Sequence, residues 1–247
     1  MPIALYRGIT VTPEDATAVA ERIRAQGLTN EQGRTWQFEC IDLRSRLREL
    51  FDKPDLTTED TRPSRWIKTA QGGHRESVGG FPAICACADI LGASYYALRH
   101  NWNGTDGLTH GLVITFRAEI ADLQVDGRDF LYNTVFGNAR VPDQRAFACR
   151  LFGDALGRYF DRAMAHPDPS YKFAMCDLAV QDEEVIQAHA KNEIVIGGRY
   201  GTCFRSAFFV RVLVTSHNII SVDDAQHCDF TPQVTCETFR RLDNETQ

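Results

Sequence analysis

The residues of this sequence that could carry chemistry lie far apart. Glu193 stands in KNEIVIGG, a short β-branched run closed by Gly197-Gly198, where a strand end would hold a carboxylate in a fixed direction. Arg7 stands in LYRG after the apolar run Ile3 to Tyr6, at what reads as the end of a buried strand. A guanidinium there is a permanently charged planar donor, suited to phosphate or to a hydroxyl pair. Cys85, Cys87 and Cys203 offer thiols, and the chain has seven histidines, but no local signature pairs a thiol with a base. His74 in QGGHRE and His100 in HNWNG lie in loop-like segments without a spacing partner. Tyr95, Tyr96 and Trp102 provide flat apolar surfaces after the thiol-containing segment.

The elements that must position these groups follow from periodicity. After Arg7-Gly8, Thr12 can cap a helix whose first turn holds Pro13, Glu14 and Asp15. Ala16, Val19, Ala20 and Ile23 share its inner face, and Gly27 ends it. DLRSRLREL (42–50) reads as a helix with Leu43, Leu47 and Leu50 inward and its arginines toward solvent. Lys53 to Arg65, with two prolines and many polar residues, reads as a loop within an insertion around residues 32–75. Phe81 to Cys87 reads as a strand, followed by a helix with Ile90, Ala93, Tyr96 and Ala97 on its apolar face. Leu112 to Phe116 and Phe130 to Val135 read as strands, Arg145 to Ala163 as one amphipathic helix, and Ser206 to Val214 as a long apolar strand. The polar tail after Asp229 reads as peripheral. The fold class expected is α+β, a single domain over residues 1–247 with a split mixed or antiparallel β core flanked by helices.

Three of these segments together resemble the ADP-ribosyltransferase superfamily. LYRGITVTPEDATAVAERIRAQGL is similar to its opening strand and helix, with arginine rather than histidine in the first motif. AICACADILGASYYALRHN is similar to its central strand and helix, and KNEIVIGG to its glutamate strand. The resemblance implies an ADP-ribosyltransferase-like fold, NAD as substrate, Glu193 as the catalytic residue, and Arg7, Gly8, Cys85, Cys87, Tyr95, Tyr96 and Trp102 around the nucleotide. Two positions depart from the pattern. Cys85-Ala86-Cys87 stands where relatives carry hydroxyl side chains, and a thiol is the weaker hydrogen-bonding group. Lys191 stands where arginine-modifying relatives carry a second acid.

The chemistry so implied has a physical basis. Breaking a nicotinamide–ribose bond builds positive charge on the sugar, and a fixed carboxylate that also holds the ribose 2′-hydroxyl interacts more strongly as that charge develops. No metal is required. The acceptor stays open between a protein, a nucleic acid and water, the last giving an NAD glycohydrolase. A toxin or effector role, with an inhibitor or antitoxin partner, is implied by the resemblance alone. A thiol enzyme and a catalytically inactive nucleotide- or protein-binding module remain as readings of other classes.

Bulk properties narrow the partners. A net charge of −6 argues against a general nucleic-acid or membrane-surface protein, although Arg44, Arg46, Arg48, Arg62 and Arg65 could form a local basic face. MPIALYRG has no basic start followed by an apolar run, and nowhere do 18 apolar residues follow one another, so a cytoplasmic location without membrane contact is expected. The eight cysteines contain no CxxC pair and read as reduced thiols rather than a disulfide or zinc framework.

Overall fold

The computed structural model describes residues 2–28, 43–61, 84–99, 109–126, 131–132, 142–197, 203–211, 213–227 and 231–235. Helices and mainly antiparallel sheets share one contiguous apolar cluster that draws side chains from Leu5 to Val222. This is a mixed α+β architecture. Most of the expected insertion, together with His74, His100 and Trp102, lies outside the described residues.

Strand β1 (Pro2–Val11) pairs antiparallel with β3 (His110–Glu119) over its full length, from Pro2↔Glu119 to Val11↔His110. β8 (Ile219–Asp224) completes the sheet on the far side of β3, with a register shift at Thr115/Phe116. Helix α1 (Ala16–Gln26) buries Ala20 and Ile23, packs against β8, and stops at Gly27, whose φ of 83° suits a residue without a Cβ. A second sheet orders β2 (Ile84–Ala86), β7 (Phe208–Val210) and β4 (Leu123–Val125), all antiparallel. Among the described residues an isolated bridge, Tyr6↔Cys87, joins β1 to the residue that follows β2. The third sheet has β5 (Ile196–Gly197) between antiparallel β6 (Cys203–Phe204) and parallel β9 (Val234–Thr235).

Helix α4 (Ile90–Arg99) lies across β1 and β3, and the sequence lets it come close. A Cβ on Gly8 would fall inside the van der Waals shell of the Ala93 carbonyl and 2.9 Å from the Ala97 nitrogen. Thr10 Oγ1 donates to the Ala97 carbonyl at 2.8 Å on the same face. Gly8 is therefore a packing residue of the β1–α4 contact. Gly8→Ala is expected to lower the unfolding free energy by about 2 kcal/mol through overpacking against backbone that cannot yield. The measurement is a shift of the urea midpoint at unchanged m value.

A helical layer covers the rest of the core: α2 (Leu43–Asp52), the single turn α3 (Thr58–Thr61), α5 (Pro142–Phe152), α6 (Leu156–Ala165), α7 (Tyr171–Ala179) and α8 (Glu183–Ala190). The stretch expected as one helix over 145–163 is two. Gly153, at φ 85°, donates its N–H to the Cys149 carbonyl and ends α5, and its open Cβ side receives Ala188 of α8. Asp182, 4% exposed, caps α8 through the Glu184 N–H, accepts from the Tyr159 hydroxyl at 2.6 Å and pairs with Arg158, tying α6 to α8.

Other expectations change for similar reasons. The Lys53-to-Arg65 segment is not a free loop over its described part, because Leu56 is 4% exposed in the core and buried Thr61 donates to Asp177. Leu131 and Tyr132, the described part of 130–135, lie in a helical turn, not a strand. The long strand over 206–214 contracts to β7; Arg211 after it bonds its N–H to the Asp122 carbonyl and its guanidinium to Gln181 and the Ala121 carbonyl, and Val214 bridges to Leu28. Ile90, placed by periodicity on the apolar face of α4, is 48% exposed. The tail is not wholly peripheral, because Val234 and Thr235 add a strand to β5. Among the described residues no helix is long and apolar enough to cross a membrane.

Candidate functional site

Tyr6 of β1 bridges to Cys87, the residue after β2, and Arg7 stands next to that bridge. It lies inside β1, not at its end as the run Ile3 to Tyr6 predicts, because the strand continues through Ile9, Thr10 and Val11 against β3. Its Nη1 donates to the Cys85 carbonyl at 2.9 Å, spanning the gap where the strands part. Arg7 is half-buried as a residue, and this surface bond uses one of the guanidinium's five donors.

The thiols of the second segment have different surroundings. Cys85 is exposed, whereas Cys87 is buried and donates toward the carbonyls of Tyr6 (3.4 Å) and Asp89 (3.2 Å). Burial pushes the Cys87 thiol well above its ordinary pKa, with the Asp89 carboxylate adding to the effect; burial raises Cys203 too. A nucleophilic role at Cys87 or Cys203 is disfavoured on that ground, since the thiolate is the reactive form.

Glu193 is exposed on an irregular turn between α8 and β5, not on a strand. The turn is nevertheless tightly held. Asn192 Oδ1 accepts from the Ile194 N–H at 3.1 Å, and Asn192 Nδ2 donates to the carbonyls of Ile194 (2.9 Å) and Arg205 (2.5 Å). Val195 donates its N–H to Gln233 Oε1 at 2.9 Å and accepts from the Gln233 N–H at 2.8 Å. The backbone N–H and carbonyl of Ile194 and Val195 are thus bonded while Glu193 is exposed.

Tyr95 connects the second and third segments: it packs on Val195 and Cys203, and its hydroxyl hydrogen-bonds with the Cys203 thiol. Tyr96 sets its ring against Phe204, centroids 6.1 Å apart. Gly8 lies under α4, facing helix backbone. Trp102 lies outside the described residues. Arg7, Cys85, Cys87, Tyr95 and the Glu193 turn are therefore linked through the Tyr6–Cys87 bridge and the packing of α4 on β6.

Asp89, Asn192 and Arg205 are the members of this region that residue type alone did not single out. For Asn192 a signal existed: an asparagine bonding its own backbone two residues on is a common turn device. Among the described residues no group of three or more His, Cys, Asp and Glu gathers to hold a metal ion.

Of the arginines that could form a basic face, Arg46 and Arg48 are exposed, and Arg62 and Arg65 lie outside the described residues. Arg44 is directed inward instead, to the carbonyls of Gln181 (2.8 Å), Ile120 (2.9 Å) and Leu123 (2.8 Å) and to Glu183. No family model, curated protein or solved structure matches this chain.

Proposed function

We propose that this chain is a cytoplasmic NAD-dependent ADP-ribosyltransferase that breaks the nicotinamide–ribose bond and passes ADP-ribose to a macromolecular acceptor, acting as a toxin or effector. The observation that supports it most is a convergence. The three segments carrying Arg7, the Cys85–Cys87 strand and Glu193 are separated by most of the sequence, yet they meet around α4 and the Tyr6–Cys87 bridge.

In this reading Glu193 holds the ribose 2′-hydroxyl and stabilises positive charge developing on the sugar. Its exposed side chain and fixed backbone suit that task. Arg7, with donors left after its bond to Cys85, binds a phosphate or ribose oxygen. Tyr95 offers ring surface beside the turn. The Cys87 thiol is engaged by two carbonyls, so it does not replace the hydroxyl contact of the second motif. A protein acceptor is favoured over nucleic acid by the net charge of −6 and by the inward direction of Arg44.

The deciding experiment incubates the full chain with NAD⁺ labelled in its adenylate half and a mixture of proteins and nucleic acids, following nicotinamide and label. Nicotinamide release with label on protein is expected. Release without macromolecular label identifies an NAD glycohydrolase. Binding of NAD⁺ without release overturns the transferase in favour of a nucleotide-binding module. Alkylation of exposed Cys85 is expected to leave release intact, and its loss would favour thiol chemistry.

A further inference from the structure

Three consecutive residues between β6 and β7 are each hydrogen-bonded to a different part of the chain. The Arg205 carbonyl accepts from Asn192 Nδ2 at 2.5 Å, the Ser206 hydroxyl oxygen accepts the Ala88 N–H at 2.9 Å, and the Ala207 N–H donates to His189 Nε2 at 3.1 Å. Ser206 is 1% exposed. Ala88 follows Cys87, whose N–H donates to the Tyr6 carbonyl at 2.9 Å and whose carbonyl accepts the Tyr6 N–H at 2.8 Å, beside Arg7. At the other end the Asn192 amide clasps Ile194. Its Oδ1 accepts the Ile194 N–H at 3.1 Å and its Nδ2 donates to the Ile194 carbonyl at 2.9 Å, with Glu193 enclosed between the two residues. An unbroken path of hydrogen bonds and peptide units thus joins the Glu193 turn to the Arg7 strand.

We propose that Asn192 is a positioning residue for Glu193: its side-chain amide anchors the turn to the Arg205 carbonyl and so sets the carboxylate relative to Arg7. The catalytic meaning rests on the Glu193 reading; the anchoring does not. Three bonds at once select asparagine. Its nitrogen faces two carbonyls and its oxygen faces an N–H, so one orientation of the amide satisfies every partner. Aspartate has no donor for the carbonyls. Serine can close the local turn by accepting the Ile194 N–H, as hydroxyl side chains do more weakly, but its oxygen is one bond nearer the backbone and does not also reach residue 205. The exposed Glu193 side chain leaves the backbone in a direction set by the torsions of residue 193, and the clasp from 192 to 194 fixes those torsions. The bond to Arg205 then refers the clasp to Ser206, Ala88 and β1. A carboxylate held in one direction relative to the rest of the site is the requirement for electrostatic preorganisation.

The test compares wild type with Asn192→Ala, which removes all three bonds, and with Asn192→Ser, which keeps an acceptor for Ile194 and loses the anchor to residue 205. Amide hydrogen exchange of the full chain, well below each melting temperature, reads the turn directly. In Asn192→Ala the Ile194 amide is expected to exchange about tenfold faster, the scale of one lost hydrogen bond, and in Asn192→Ser within about threefold of wild type. The Ala88 amide, which touches neither substitution, is expected to exchange about threefold faster in both variants because residues 205 and 206 lose their tie to the turn. Nicotinamide release should fall about tenfold in kcat in both, with KM within about twofold, because orientation rather than binding is lost. Wild-type kcat in Asn192→Ser overturns the proposal and leaves Asn192 as a local turn former. Unchanged Ala88 exchange in Asn192→Ala also overturns it, since the turn would then not be tied to the Arg7 side. Should wild type release no nicotinamide, the Glu193 reading fails, and Ile194 and Ala88 exchange alone decide the anchoring.

Discussion

Glu193→Gln is expected to lower kcat for nicotinamide release by about a hundredfold or more, a loss of roughly 3 kcal/mol of transition-state stabilisation. Glutamine keeps the size of the side chain and a hydrogen-bonding oxygen but not the charge, so NAD⁺ affinity should change little while the response to charge building on the sugar disappears. The exposed setting makes the comparison clean. Among the described residues no hydrogen bond uses the Glu193 side chain, and Asn192, Ile194, Val195 and Gln233 hold the turn through their own groups. The melting temperature of the variant should therefore match wild type. Single-turnover measurement of nicotinamide release together with equilibrium NAD⁺ binding separates the two effects. Equal kcat in the variant and wild type would remove Glu193 from the chemistry.

The sequence makes strand and helix types readable where one face is buried and the other wet. α1 and α2 follow that rule, with Ile23 and Leu50 buried where periodicity puts them, while β1 and β3 show as apolar runs in which Leu5 and Ile114 are buried. Boundaries are less legible, for reasons visible at particular residues. Arg7-Gly8 reads as a strand end because one residue is charged and the other has no side chain. In the fold the arginine reaches across to Cys85 and the glycine admits α4. Helix α7 leaves little periodic trace because YKFAMCDLA is buried almost all round, including Asp177 at 1% exposure. Gly153 takes its positive φ to end α5, but the packing of Ala188 of α8 into the space beside it is a contact no local window contains.

The same limit governs the site. Arg7 and Glu193 stand out by residue type and spacing, whereas Asn192 and Arg205 acquire meaning only once β6 lies beside the turn and the Arg205 carbonyl accepts from Asn192. Their roles are tertiary. A turn that holds its residues with an asparagine side chain, as Asn192 does, has no alternation to detect, so the glutamate that β-branched neighbours place on a strand lies instead in an irregular segment before β5.

His189 yields the other large effect, on stability. The imidazole is fully buried at the end of α8, stacked on Phe152 and edge-on to Phe208, with ring centroids 4.5 and 5.3 Å away. Nε2 accepts the Ala207 N–H at 3.1 Å, so Nδ1 carries the proton and donates to the Leu151 carbonyl at 3.1 Å. Both nitrogens are satisfied by the neutral ring, and burial lowers its pKa to about 4 despite the Leu151 bond. The unfolded chain binds a proton near pH 6.5, and the folded chain resists until about pH 4. Stability from this group is therefore intact above pH 6.5 and declines as pH falls toward 4, by about 3 kcal/mol in total. Asp89 and Asp122, raised by burial, act in the opposite sense, since their folded forms take up protons first on acidification. The contribution of His189 is consequently read as a difference between proteins. Urea unfolding of wild type and His189→Gln at several values between pH 7 and pH 4.5 should show the variant less stable at neutral pH and the gap narrowing by about 1.4 kcal/mol per pH unit below pH 6. A gap that stays constant with pH would mean that the ring accepts a proton in place, which the Ala207 N–H directed at Nε2 opposes.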